Sequence, residues 1–118
     1  MNICIAGGRS FHNRKFIAEH LDSILAGREF TIVSGGAKGV DRAAEYYAKE
    51  RDLELIVIKA NWDKYRKNAG MIRNKEMAKI SDVLIAFWDQ ESKGTGHMIR
   101  TMTQLKKPVF IVDITFQC

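Results

Sequence analysis

The stretch SGGAKGVD, residues 34–41, follows directly on the apolar run FTIV of residues 30–33. Two glycines end the run, and a third precedes a segment whose apolar residues recur at helical spacing. A glycine-rich turn into a helix lets a ligand approach bare backbone, and the unpaired amides of the helix start attract an anion. A tight turn without any ligand also uses glycines. The stretch predicts a strand–loop–helix unit and leaves both explanations of its glycines open.

Strand-like and helix-like segments alternate along the whole chain. Short apolar runs predict five strands, at residues 2–6, 30–33, 53–58, 83–87 and 109–114. Continuous apolar strands separated by helices are typical of a parallel sheet that is covered on both faces. We therefore expect a three-layer, doubly wound Rossmann-like α/β sandwich with strand order 3-2-1-4-5. The segment 59–69 is the one long irregular connection and a candidate functional loop.

The length of 118 residues predicts a single domain over residues 1–118. No apolar run approaches the roughly 20 residues that span a bilayer, and the first residues lack the order of a signal peptide. We expect a cytoplasmic protein without a membrane partner. The net charge of +5 favours an anionic partner such as a nucleotide, a nucleic acid or an acidic protein surface.

The number and spacing of the cysteines and histidines argue against a fold held by disulfide bonds or by a metal ion. Cys4 and Cys118 do not make a disulfide framework, and no Cys/His cluster has the spacing of metal ligands. Cys4 lies within the first predicted strand and is expected to be a small buried hydrophobic residue. The sequence therefore predicts neither a metal nor a resident cofactor.

Seven of the nine glycines fall between a strand end and the first turn of the next helix. They form three loops, GGRS at 7–10, SGGAKGVD at 34–41 and ESKGTGH at 91–97. In a parallel sheet such loops emerge at the same carboxyl edge, where open α/β sheets bind ligands. Three glycine-bearing loops at one edge favour an anion site over three unrelated tight turns.

Two common phosphate motifs do not fit this sequence. A P-loop needs GxxxxGK[ST], and no stretch of the chain matches it. Read as GxGxxG, residues 34–39 carry Ser34 at the first glycine, and Lys59 follows the third strand where a dinucleotide fold has an acid. P-loop nucleotide hydrolysis and NAD binding are therefore disfavoured.

Taken together, four segments resemble the SLOG superfamily, which includes the Smf/DprA and LOG proteins, and especially its small YspA-like members. The segments are GGRSF, SGGAKGVDRAAEYYA, MIRNKEMAKISDVLIAFWD and GTGHMIR, in the expected order between Ile3 and Val112. The resemblance implies a Rossmann-like fold that binds a nucleotide or nucleotide-derived ligand at its glycine-rich edge. The predicted ligand-binding residues are Gly7, Gly8, Arg9, Ser10, Ser34, Gly35, Gly36, Ala37, Lys38, Gly39, Asp41, Arg73, Asn74, Gly94, Thr95 and Gly96.

The superfamily contains enzymes as well as binding proteins. The LOG branch hydrolyses the N-glycosidic bond of nucleoside monophosphates and has the pattern PGGxGTxxE. Here Met98 stands at the position of that glutamate, so no obvious group is present to stabilise an oxocarbenium ion or activate water. We therefore favour a nucleotide-binding sensor, carrier or sequestering protein. A hydrolase that recruits another acid, from Asp41, Asp89 or Glu91, is the alternative.

A third hypothesis is that the protein binds single-stranded nucleic acid, as proteins of the DprA branch do. Trp62 and Tyr65 stand among basic residues in the segment 59–67, and such aromatic-basic loops grip single strands. A solvated loop with one anchored tryptophan explains the same residues. By family likeness the protein is also expected to be a homo-oligomer.

Several side chains have both a ligand-binding and a structural explanation. Arg9, Lys38 and Arg73 can reach a phosphate or remain solvated. Asp41 falls in a first helical turn, where capping competes with binding of ribose hydroxyls. Trp88 can stack on a base or close the end of the core, and His97 is expected to cap its helix or face solvent.

Overall fold

The computed structural model describes residues 1–116, and Cys118, which the sequence leaves outside any disulfide, lies beyond them. The strands are β1 (Asn2–Gly7), β2 (Thr31–Ser34), β3 (Leu55–Val57), β4 (Val83–Trp88) and β5 (Val109–Asp113). The helices are α1 (Arg14–Leu25), α2 (Val40–Glu50), α3 (Trp62–Tyr65), α4 (Ala69–Ile80) and α5 (Lys93–Gln104), with a 3-10 turn at Arg66–Asn68.

The five strands form one parallel sheet in the order β3-β2-β1-β4-β5, which confirms the predicted order. Strand β1 lies at the centre, with Ile3 paired to Ile32 of β2 on one side and to Val83 of β4 on the other. The direction of winding reverses between β1 and β4. A crevice therefore opens between the loops that follow these two strands.

Alternate residues of β1 supply the two hydrophobic cores of the sandwich. Ile3 and Ile5 point to the face covered by α1 and α2, where they join residues such as Leu21. Cys4 and Ala6 point to the opposite face, covered by α4 and α5. The Cys4 thiol is completely buried, 4.0 Å from the thioether sulfur of Met77, and burial raises its pKa.

The outer strands depart from the expectation of a sheet covered on both faces. Phe110 and Ile111, adjacent in β5, are each 51% exposed although their side chains point to opposite faces. Ile56 and Val57 of the three-residue β3 are similarly exposed at 36% and 37%. The helices pack over the three central strands, so apolar continuity predicts the edge strands correctly but not their burial.

The segment 59–69 is also more regular than predicted. The side-chain oxygen of Asn61 accepts a hydrogen bond from the Lys64 amide at 3.1 Å and so caps α3. The 3-10 turn then leads directly into α4. A short helix with a side-chain cap thus replaces the irregular loop and fixes Trp62 at its first position.

No helix in residues 1–116 is both long and apolar enough to cross a bilayer.

Gly7 is required by the packing between β1, β4 and α2, and its replacement by alanine should destabilise the fold. A Cβ at Gly7 would lie 2.5 Å from a methyl carbon of Val40 and 2.6 Å from the Phe87 carbonyl oxygen. Because the carbonyl belongs to the central sheet, it cannot move aside cheaply. We expect Gly7→Ala to lower the free energy of unfolding by about 1–3 kcal/mol, measured by urea denaturation.

The neighbouring variant Gly8→Ala is the matched control, because a Cβ there would meet no other part of the fold within 4 Å. Equal loss of stability in the two variants would contradict the packing argument.

Candidate functional site

A cleft of about 1070 Å³ opens at the carboxyl edge of the sheet, where β1 and β4 end. Its walls are the loop after β1, the inner face of α4 and the β4–α5 loop with the first turns of α5. Eleven of the sixteen predicted ligand-binding residues line it, namely Gly7, Gly8, Arg9, Ser10, Ala37, Asp41, Arg73, Asn74, Gly94, Thr95 and Gly96.

Two backbone amides of the loop SGGAKGVD donate hydrogen bonds to side chains of the same loop. The Gly36 amide donates to the Ser34 hydroxyl oxygen at 3.2 Å, and the Ala37 amide donates to the Asp41 carboxylate at 3.2 Å. The Ser34 hydroxyl in turn donates to the Glu45 carboxylate at 2.8 Å and is completely buried. This loop therefore presents Ala37 and Asp41 to the cleft rather than a ring of free amides.

The remaining members of that loop lie elsewhere. Gly36 lines a separate groove of about 310 Å³ on the other side of the loop, beside Lys59. Lys38 is exposed and does not line the cleft. Gly39, with φ of +74°, packs so closely on the first loop that a Cβ there would lie 2.6 Å from the Arg9 carbonyl oxygen. Gly36 has a φ of +72°, so it and Gly39 both adopt the left-handed backbone conformation that favours glycine.

Gly94, Thr95 and Gly96 lie in the first turn of α5, not in a loop before it. The N-cap residue Ser92 makes no side-chain capping bond, and its carbonyl accepts from the Gly96 amide at 3.0 Å. The amides of Gly94 and Thr95 are among those that no helical carbonyl can reach. These amides and the positive end of the helix dipole meet at the cleft wall.

Arg73 and Asn74, consecutive residues of α4, link this helix to the loop after β2 and to the start of α5. The Arg73 guanidinium donates to the Gly35 carbonyl at 2.7 Å, and the Asn74 amide donates to the Gly94 carbonyl at 3.1 Å. Gly35 allows this approach because a Cβ there would lie only 2.7 Å from the guanidinium and 2.9 Å from the Asp41 carboxylate. Burial lowers the pKa of Arg73, which the nearby Asp41 opposes.

Asp41 is a buried carboxylate beside the cleft, with 7% of its surface exposed. Burial raises its pKa from 3.8 to about 6, although the Ala37 amide and the positive charges of Arg73 and Arg9 favour the ionised form. The Asp41 carboxylate thus closes the loop that precedes α2, instead of capping a first-turn amide of that helix, and it also lines the cleft.

Charged residues that the predicted set omits also line the cleft. Lys67, Lys93 and Arg100 join Arg9 and Arg73, against the carboxylates Asp41, Asp89 and Glu91. Lys93, His97 and Arg100 recur three to four positions apart on α5. That helical spacing is the sequence signal that could have found them.

Two tryptophans flank the cleft. Trp62 is 48% exposed, with the Arg9 guanidinium 5.8 Å from its ring centre. The Trp88 indole donates to the Ser92 carbonyl at 3.1 Å, and its ring packs near Gly96. Trp88 therefore anchors the start of α5, whereas Trp62, with Arg9 over its ring, remains partly exposed.

Asp89, another carboxylate of the cleft, is less suited than Asp41 to acid–base catalysis. One Asp89 oxygen accepts hydrogen bonds from the amides of Glu91 and Ser92 at 2.9 and 2.8 Å, and these bonds lower the pKa of Asp89.

Met98, at the position that the LOG pattern gives to glutamate, is 1% exposed and belongs to the core under α4 and α5. Within residues 1–116, no three His, Cys, Asp or Glu side chains are grouped as metal ligands.

Residues 1–65 match the model of the YspA, cpYpsA-related SLOG family. The chain belongs to this family. The predicted SLOG resemblance is therefore confirmed. The Gene 61 protein of Mycobacterium phage D29 is 30% identical to this SLOG chain over 115 residues, which cover 91% of the chain and 92% of the phage protein.

Two solved structures of DNA processing protein A are similar in fold to this SLOG chain. The protein from Streptococcus pneumoniae matches with a TM-score of 0.76 and 19% identity, over 93% of this chain and 49% of that protein. DprA from Helicobacter pylori, which binds single-stranded DNA, matches with a TM-score of 0.72 and 25% identity, over 94% and 64%. The SLOG chain thus spans about half to two thirds of these proteins.

Asp41 should make the stability of the chain depend on pH in an unusual direction. Between about pH 4 and 6 the folded state binds a proton that the unfolded state does not, so stability falls as pH rises through this range. We expect Asp41→Asn to remove this fall. The variant's free energy of unfolding, relative to that of the wild type, should therefore be higher at pH 8 than at pH 4 by up to about 3 kcal/mol. Urea denaturation at both pH values measures the difference.

Asp63→Asn is the control, since it removes the same charge from an exposed position. A gain for Asp41→Asn that is equal at pH 4 and pH 8 would contradict the assignment.

Proposed function

We propose that the protein binds a nucleotide or nucleotide-derived ligand in the cleft, as a sensor, carrier or sequestering protein. Membership of the SLOG family and the fold shared with DprA support a function related to nucleotides or single-stranded DNA. The cleft volume of about 1070 Å³ is large enough for a complete nucleotide. Its position at the strand-order reversal is where open α/β sheets bind such ligands.

Gly94 is the observation that carries this proposal. It is exposed, its φ is not in the left-handed region, and an added Cβ would meet no other part of the fold within 4 Å. Glycine costs stability in a helix, and nothing in the packing of residues 1–116 requires it at this position. A ligand that approaches the bare backbone of the first turn of α5 explains its presence.

The surrounding side chains suit a phosphate and a base. Arg73, Arg100 and Lys93 lie in the same cleft as the first turn of α5 and can neutralise a phosphate. Trp62, with its exposed ring, offers a surface on which a base can stack. We therefore place the phosphate against Gly94 and Thr95 and the base toward Trp62.

A thermal-shift panel of AMP, GMP, CMP, UMP and ADP-ribose tests the proposal. A ligand present at about 100 times its dissociation constant should add about 2.7 kcal/mol to the free energy of unfolding. The corresponding shift is several degrees for a chain of this length. If no compound on the panel stabilises the protein, the nucleotide proposal is wrong.

The variant Gly94→Ala separates the needs of the fold from those of the ligand. We expect it to be as stable as the wild type or more stable, by up to about 1 kcal/mol, because alanine is the better helix former. The same methyl group would obstruct the ligand and reduce its thermal shift.

Arg28→Ala serves as the control for Arg73→Ala, since Arg28 stacks on Phe30 and does not line the cleft. We expect the ligand-induced shift to persist in the control and to fall in the cleft variant. Undiminished binding by Gly94→Ala would count against the placement of the phosphate.

Single-stranded nucleic acid is a second candidate, because basic grooves lie on both sides of the loop SGGAKGVD. The cleft presents Arg9, Lys67 and the exposed Trp62, while the smaller groove carries Arg42, Lys49 and Lys59. A strand crossing the loop would contact both grooves, and stacking on Trp62 would add sequence-independent affinity.

Fluorescence anisotropy with a labelled oligothymidine measures this binding. Each phosphate contact should contribute about 0.7 to the slope of log affinity against log salt. The variant Lys49→Ala should reduce that slope, whereas it should leave the AMP-induced thermal shift unchanged. A slope near zero would exclude binding of single-stranded nucleic acid through these basic residues.

A further inference from the structure

A chain of hydrogen bonds links Arg73, Asn74 and His97 between α4 and α5. The Arg73 Nε atom donates to Asn74 Oδ1 at 3.1 Å. Asn74 Nδ2 lies 3.1 Å from the Gly94 carbonyl oxygen and 3.2 Å from His97 Nδ1. Asn74 is only 4% exposed, so its polar atoms depend on these partners.

The partners of Asn74 determine the orientation of its amide. A guanidinium only donates hydrogen bonds, so the Asn74 oxygen must face Arg73. A carbonyl only accepts, so the Asn74 nitrogen must face Gly94. The second hydrogen of that nitrogen then points at His97 Nδ1, which has to accept it. A neutral imidazole whose Nδ1 accepts carries its proton on Nε2.

The charged form of His97 does not fit this arrangement. A proton on Nδ1 would face the hydrogens of the Asn74 amide, and the hydrogen bond would be lost. Arg100 on its own helix and Lys75 on α4 add positive charge nearby. Partial burial and these two cations lower the pKa of His97. The ring is therefore neutral at neutral pH.

We propose that His97 is a ligand-binding residue, which offers a neutral Nε2–H donor to a phosphoryl oxygen of the ligand, and that Asn74 is the residue that positions it. His97 lines the cleft beside Gly94, where the phosphate is placed above. The identity of the ligand rests on the proposed function, whereas the tautomer of His97 does not. The cleft thus binds phosphate through arginines, backbone amides and an uncharged imidazole.

The tautomer can be measured on the unliganded protein. Long-range ¹H–¹⁵N spectra of ¹⁵N-histidine-labelled protein distinguish protonated from unprotonated ring nitrogens, and His97→Gln assigns the signals. We expect His97 at pH 7.5 to show an unprotonated Nδ1 and a protonated Nε2. His12, which is exposed, provides an internal comparison. A protonated Nδ1 in His97, or a mixture of the two tautomers, would overturn the assignment.

Asn74→Asp should reverse the arrangement. A carboxylate accepts from Arg73 and can accept from His97 Nδ1–H, but it cannot donate to that nitrogen. The pKa of His97 should therefore rise above that of the wild type, with Nδ1 protonated, in an NMR titration. An unchanged or lower pKa in the folded variant would contradict the role of Asn74. If the variant does not fold, the wild-type spectrum still decides the tautomer.

The contribution to binding is measured with AMP. Loss of one neutral hydrogen bond should weaken AMP binding about threefold to tenfold in His97→Ala, while His97→Gln, which retains an N–H donor, should bind more tightly than His97→Ala. Equal affinity of wild type and His97→Ala for AMP would contradict the role of His97 in binding. Failure of the wild type to bind any nucleotide would instead reject the proposed function and leave the tautomer to be judged by its spectrum.

Discussion

The carboxyl edge of this sheet depends on two consecutive side chains of α4. Arg73 reaches the Gly35 carbonyl after β2, and Asn74 reaches the Gly94 carbonyl at the start of α5. Arg73 also donates to Asn74, so both contacts belong to one hydrogen-bonded network that links the loop after β2, α4 and the start of α5. The walls formed by α4 and by the start of α5 are thereby joined by the protein's own hydrogen bonds. A binding site that is already assembled spends less of its binding energy on ordering.

Two charged side chains beside the cleft, Asp41 and Arg73, are wholly or partly buried, at an electrostatic cost. Asp41 holds a carboxylate in a buried position where its charge is unfavourable, and only the Ala37 amide and the arginines offset that cost. Burial of Arg73 is likewise unfavourable for its charge. Oppositely charged groups whose pKa values are perturbed, and which lie together beside an open cleft, are characteristic of functional sites.

The fold was predictable because its signal is repeated, whereas the site was predictable only in part. Five apolar runs alternating with helices determine a parallel sheet, and its order follows from right-handed connections. Glycine positions indicate the correct edge, but not which face of each loop meets the cleft. The hydrogen bonds of Ser34 and Asp41 turn the Gly36 side of their loop away from it, and local sequence contains no sign of this. Arg100 and Lys93 were within reach of helical periodicity, since they share a face of α5 with His97.

The complete burial of Cys4 gives the molecule a built-in reporter of its own opening. The thiol lies in the central strand, and burial raises its pKa, so an alkylating reagent finds neither access nor thiolate while the sheet is intact. With Cys118 replaced by serine, the sequence retains this single sulfhydryl. The rate of alkylation then reports the fraction of molecules in which the central strand is exposed, and a molecule that occupies the crevice lowers that rate tenfold for every roughly 1.4 kcal/mol that it adds to the stability.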